Sequence, residues 1–257
     1  MAWTSGDHET AADAWTSLPD VTIFLLGLAM GVGAFVQSSI GFGLAVVAAP
    51  FVVLAAPELM PAAILVATGL LPIGQLVTVE RDIDWRSLGW ALGGRLLLTP
   101  VGVALVAWMS ARAISALVGV LVLVSVLVAI RAPVLPHPGR VPSFVAGAIA
   151  GVSGTAASIG GPFFALVLQG QEPSRVRSTL AAFFAVGSAM AMIGLAIGGS
   201  LHRDQLMAGL LWVPFVAAGV LAAIPARRRL DRERLRHWVF AFCVVASVSV
   251  IARAALA

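Results

Sequence analysis

The chain has 257 residues, of which 60% are hydrophobic and only 11% charged. A soluble domain carries about 25% charged residues, so composition alone excludes one. The net charge of +4 comes from sixteen arginines and no lysine, and six of them (Arg227, Arg228, Arg229, Arg232, Arg234 and Arg236) share one short stretch. Such clusters orient membrane segments, and no nucleic-acid partner is expected from them.

The first twenty residues are acidic, with Asp7, Glu9, Asp13 and Asp20, and lack a basic start before an apolar core. They read as an N-terminal tail and not as a cleaved signal peptide. Val21 to Gln37 is apolar but too short to span comfortably before the polar, Gly-rich Gln37-Ser38-Ser39-Ile40-Gly41-Phe42-Gly43. Leu44 to Ala56 follows as a second short limb, closed by Pro57 and Glu58, and Met60 to Val79 is a full span. Glu80 to Arg86 is a charged loop, Ser87 to Met109 a span containing Arg95 and Pro100, and Ala113 to Ile130 another. The Pro-rich segment from Arg131 to Arg140 reads as the connection between two halves, with residues 132–141 as linker.

The second half, residues 142–257, replays the first, residues 21–131. Pro142 to Ala157 is a short limb, Thr155-Ala156-Ala157-Ser158-Ile159-Gly160-Gly161-Pro162 a second break, and Phe163 to Gln169 the outgoing limb. Three spans follow near Thr179–Gly198, Leu206–Pro225 and His237–Ala254. Ser-Ile-Gly recurs at Ser39 and Ser158, and a weak duplication with paired interrupted helices marks a transporter. The expected fold is therefore an all-α polytopic membrane protein with two homologous repeats, each a broken or re-entrant hairpin plus three transmembrane helices.

Arginine positions choose between two topologies. If each broken segment crosses once, the halves are parallel and nine loop arginines face six across the membrane. If each is a re-entrant hairpin, the halves are inverted and twelve face three, Arg112, Arg203 and Arg253. The second ratio obeys the positive-inside rule better, so inverted halves with both termini outside are expected.

Non-helical backbone at membrane depth survives only where protein or a water-filled cavity satisfies its amides. Helix starts exposed at such breaks present unpaired N–H groups and a positive dipole end to an anion. Ser38, Ser39 and Ser158 can add hydroxyls, while Gly41, Gly43, Gly160 and Gly161 permit close backbone approach. Small residues of this kind also simply pack helices. Arg95 is the only basic residue near the middle of a span, costly there and suited to a sulfonate or carboxylate; a structural bond to a carbonyl would explain it as well. Gln37 and Gln75 are further polar candidates, with interhelical bonding as their ordinary role. No acidic residue or histidine lies mid-span, which speaks against proton transfer through a buried carboxylate and offers no metal set. A cation or metal permease using carbonyls at the breaks stays open as a rival. Gly151-Val152-Ser153-Gly154 matches the nucleophile motif of intramembrane serine proteases, but a serine hydrolase needs a base that this chain lacks at membrane depth.

Gly41-Phe42-Gly43 with Pro50, Gly160-Gly161-Pro162 ahead of the Gln171–Thr179 turn, Asp84-Trp85-Arg86 before a Gly-rich span, and the late Arg-rich loop before a final span resemble the TauE/SafE sulfite-exporter family of permeases. The resemblance runs from about Val21 to Ala254 and rests on order and spacing. It implies a bacterial inner-membrane, multi-pass transporter of small organosulfur anions such as sulfite, sulfoacetate or other sulfonates, working without cofactor or enzymatic activity. Gln37-Ser38-Ser39 and Phe42 replace the denser glycine run common in the family. The partners expected are the anionic substrate and membrane lipid, with a homodimer left open.

Overall fold

The computed structural model describes residues 19–41, 43–78, 82–131, 138–226 and 230–256. These residues form ten α-helices and no strand: α1 (Asp20–Ile40), α2 (Leu44–Ala55), α3 (Ala62–Thr78), α4 (Trp85–Trp108), α5 (Ala111–Arg131), α6 (Arg140–Ala157), α7 (Gly161–Val167), α8 (Pro173–Ile197), α9 (Arg203–Ala226) and α10 (Arg232–Leu256). Six of them, α1, α4, α5, α8, α9 and α10, are long and apolar enough to cross a bilayer. This is a multi-pass membrane protein.

Several helix lengths differ from the sequence expectation. The first limb is not short, because Gln37, Ser38 and Ser39 stay helical and α1 reaches 21 residues. The chain breaks only where left-handed backbone is required, at Gly41 (φ 101°) and Gly43 (φ 126°). The third segment, expected as a full span, is a 17-residue helix with Pro72 inside it. The second outgoing limb is shorter still, seven residues opening on Gly161 and Pro162. Helix α8 begins at Pro173, six residues before the expected start, since proline costs nothing at a helix's first position. The acidic tail, most of the linker and Arg227–Arg229 lie outside the described residues.

Glycine lets two helix pairs meet backbone to backbone. In the α4–α6 pair, an added Cβ at Gly151 would stand 2.6 Å from the Arg95 carbonyl and one at Gly102 2.7 Å from Thr155; one at Gly147 would overlap the Ala91 carbonyl. In the α1–α9 pair, a Cβ at Gly31 would stand 2.9 Å from the Phe215 carbonyl, and Gly219 meets the Gly31 carbonyl. Contact positions rise together along both members of each pair, so α4 runs parallel to α6 and α1 parallel to α9. In lipid, where burial of apolar surface gives no driving force between helices, such small-residue contacts supply dispersion packing.

The remaining pairs close the bundle. Helix α5 lies antiparallel to α10, with Arg112 Nε donating to the Ala254 carbonyl at 2.6 Å and Gly119 packed on Ser247 and Ile251. Helices α3 and α8 meet at Gly69 and Ser188. The largest buried cluster draws on α1, α2, α3, α5, α9 and α10, and a second gathers α4, α6, α7 and α8. Residues at both breaks, Leu44 at the first and Ile159 at the second, belong to the larger cluster.

Candidate binding cavity

Each break is held by a different local device. At the first, the Gln37 carbonyl accepts the Gly41 N–H at 2.8 Å, and the Gln37 side-chain Oε1 accepts the Leu44 N–H at 3.1 Å. One residue thus caps the end of α1 and the start of α2. At the second, Ser158 takes the left-handed conformation itself, with φ 61°. The next amide, Ile159 N–H, turns back to the Ser153 carbonyl at 3.2 Å. Ser158 Oγ donates to the Pro61 carbonyl at 2.9 Å, tying the second break to the first half of the chain.

Both breaks line one cavity, together with Arg95. Its wall includes Gln37, Gly43, Ala45 and Val46 from the first break and Ser158, Ile159, Gly160, Gly161 and Pro162 from the second. Leu65, Thr68, Phe184 and Ser188 complete it. The space left for the centre of a water molecule is about 20 Å³, where about 10–15 Å³ holds one water.

Six of the nine residues expected at the site, Gln37, Gly43, Arg95, Ser158, Gly160 and Gly161, therefore border a single space. Ser38, Ser39 and Gly41 do not. The two serines are buried in the last turn of α1 and Gly41 caps it. The Ser158 hydroxyl proton is directed at Pro61, so its oxygen faces the cavity as an acceptor only. Leu44 N–H is engaged by Gln37, whereas helix geometry leaves Ala45 and Val46, both on the wall, without an acceptor inside α2. The side chain of Gln75 lies outside the described residues.

Arg95 is the charged centre of this wall. It is 2% exposed, and its guanidinium lies over the Phe183 ring with 5.0 Å from Cζ to the centroid. Gly187 of α8 touches the guanidinium directly, and a Cβ at Gly154 would stand 3.1 Å from Nη2, so two glycines make the room it occupies. Arg95 Nε has no hydrogen-bond partner among the described residues. The alternative of a structural bond from this nitrogen to a carbonyl is therefore not what holds it. Thr99 Oγ1 bonds the Arg95 carbonyl at 2.7 Å and steadies the backbone there.

Thr68 and Ser188 were not singled out by sequence. Single hydroxyls in apolar helices carry no positional signal, and only the α3–α8 contact brings these two to the wall. Elsewhere, Ser153 donates to the Ile149 carbonyl at 2.8 Å, an ordinary bond within its own helix. No cluster of three metal-ligating side chains occurs among the described residues.

At the mouth of α4 stands Asp84. It accepts from Ser87 N–H at 3.0 Å and Ser87 Oγ at 2.7 Å, and from Gln171 Nε2 at 2.6 Å. Burial alone would raise its pKa; the Ser87, Gln171 and Arg86 donors outweigh that and hold it below the ordinary aspartate value.

The family profile described as Sulfite exporter TauE/SafE matches residues 23–250. No curated protein and no solved structure matches the chain.

Proposed function

The chain belongs to the TauE/SafE sulfite exporter family, a family of transporters and not enzymes, and on that premise we propose that it carries a small organosulfur oxyanion, sulfite or a short sulfonate, by alternating access. The observation that carries the reading is Arg95, a buried guanidinium with no carboxylate partner among the described residues, on the wall of a cavity that both breaks border. A guanidinium pairs two oxygens of such an anion in one plane. The Ala45 and Val46 amides at the start of α2 offer further donors, and Thr68 and Ser188 offer hydroxyls. A cavity sized for about one water must widen to admit three or more oxygens, so the two breaks separate when substrate enters.

Inverted repeats fit this reading. Exchanging the halves turns the parallel pair α4–α6 into the parallel pair α9–α1, and leaves α3–α8 and α5–α10 as they are. The start of α9, where Gln205 Nε2 donates to the carbonyls of Glu58 and Met60, then answers to the start of α4, where Gln171 meets Asp84. Each outgoing limb so returns to the side from which its hairpin entered. The localisation that follows is a bacterial inner membrane with both termini in the periplasm. A cysteine placed at His137 in a Cys243→Ser background is then expected to resist an impermeant thiol reagent in intact cells. Ready labelling from outside would overturn the inverted arrangement.

Thermal unfolding of detergent-purified protein against sulfite, sulfate, sulfoacetate, other sulfonates and carboxylates tests the function. An anion at ~100 times its dissociation constant is expected to add about 2.7 kcal/mol of stability, and Arg95→Gln to abolish that gain. Stabilisation by a metal ion and by no anion would replace this reading with the cation permease.

A further inference from the structure

We propose that this carrier is an obligatory anion exchanger, because Arg95 allows the cavity to close only around an anion. The inference rests on the transport reading above and adds the mode of transport to it.

Alternating access takes the cavity through a closed state once in each direction. In the arrangement seen here Arg95 is 2% exposed, and its Nε has no hydrogen-bond partner among the described residues. The acidic residues among those described fall in loops or in the turns that begin helices, so none of them stands at the depth of Arg95. The nearest compensation is the face of Phe183, 5.0 Å away. A guanidinium keeps its proton at neutral pH, so this site cannot discard its charge as a histidine or lysine could. Nor can the side chain swing aside easily, since Gly154 and Gly187 fit against it on α6 and α8.

Closing the loaded cavity therefore buries an ion pair, whereas closing the empty one buries a lone cation. Breaking a buried pair by removing one partner costs far more than the pair itself. The loaded carrier crosses readily, the empty carrier is held open, and each outward anion must be answered by an inward one.

The test is uptake of radiolabelled sulfite, sulfoacetate and a short alkanesulfonate into proteoliposomes. One set is preloaded with the same unlabelled anion, and the other contains a bulky impermeant anion. Potassium with valinomycin holds the membrane potential at zero, so that charge accumulation does not slow either set. Preloaded vesicles are expected to take up label at least ~10 times faster, a difference of about 1.4 kcal/mol on the barrier. The ratio of the two rates does not depend on how much protein inserts in active form. In Arg95→Gln, whatever uptake remains at high anion concentration is expected to be equal in the two sets, while Arg95→Lys, which keeps the charge, preserves the ratio. Equal uptake in both sets by the unaltered protein overturns exchange and leaves transport standing. A ratio lost in Arg95→Lys, or kept in Arg95→Gln, overturns the role given to the charge. No uptake of any anion in either set overturns transport and exchange together.

Discussion

The α1–α9 and α4–α6 pairs are built alike and filled differently. In each, a helix leading into a break lies backbone to backbone against a parallel partner from the other half, through Gly31 and Gly219 in one and Gly147, Gly151 and Gly102 in the other. Seven positions before Gly219 stands Trp212, and seven before Gly102 stands Arg95. Both side chains are buried. The indole spends its one polar atom on the Ile23 carbonyl at 3.3 Å, and the guanidinium Nε keeps its own unspent. The same packing thus yields a structural post on one side and a buried charge on the cavity wall on the other.

The shared part of this comparison breaks with the largest effect. Gly147→Val and Gly219→Val each drive a branched side chain into a facing carbonyl, and each is expected to cost more than ~3 kcal/mol, the top of the overpacking range. Loss of monodisperse protein on size-exclusion chromatography would report it. Gly89→Ala, where nothing lies within 4 Å of an added Cβ, is the neutral control. Full stability in either valine variant would show that the pair is not locked through that glycine.

The different part separates at intermediate size. Trp212→Phe removes the indole bond to the Ile23 carbonyl and is expected to cost about 1 kcal/mol of stability, with the anion response in thermal unfolding unchanged. Arg95→Gln is expected to do the reverse, erasing the response while leaving anion-free stability equal or higher, since it removes an uncompensated buried charge. Two variants with the same profile would dissolve the distinction.

The smallest effect lies at the helix starts, where α4 uses Asp84 and α9 uses Gln205. Asp84 is held below the ordinary aspartate value by its donors, so its contribution is complete above the unfolded value of about 3.9 and is lost as pH falls through the folded value. Asp84→Asn is expected to lower stability by about 1 kcal/mol at pH 7, since the group is only half-buried, and the difference is expected to shrink as pH falls below about 3.9 towards the folded value. Gln205→Ala is expected to show no such pH dependence. A difference for Asp84→Asn that stays constant in thermal scans from pH 7 to 3 would remove the carboxylate from this account.

Much of this was legible in the sequence. Polar, Gly-rich interruptions in apolar runs located both breaks, because left-handed backbone at Gly41 and Gly43 has few other solutions. A lone mid-span arginine marked a candidate cavity residue, and only the structure separates that from a structural bond to a carbonyl, since its Nε has no partner among the described residues. The length of α1 was not legible, since Gln37, Ser38 and Ser39 look like loop residues until Gln37 is seen capping Leu44. Thr68 and Ser188 were invisible for another reason: they reach the wall through packing of helices far apart in the chain, which leaves no local pattern.

The bare-backbone contact of α4 with α6 also has a mechanical meaning. With no layer of side chains between them, these helices have no surface on which to shear, and they travel as one rigid piece. Arg95 lies on that piece and Gly160 packs against its Ala150 and Gly154, so the spacing between the charge and the second break is expected to stay fixed in the proposed cycle. On the transport reading proposed above, the distance from Arg95 to Gln37 and the start of α2 is the one expected to change, with the first break as the jaw and the second as the anvil.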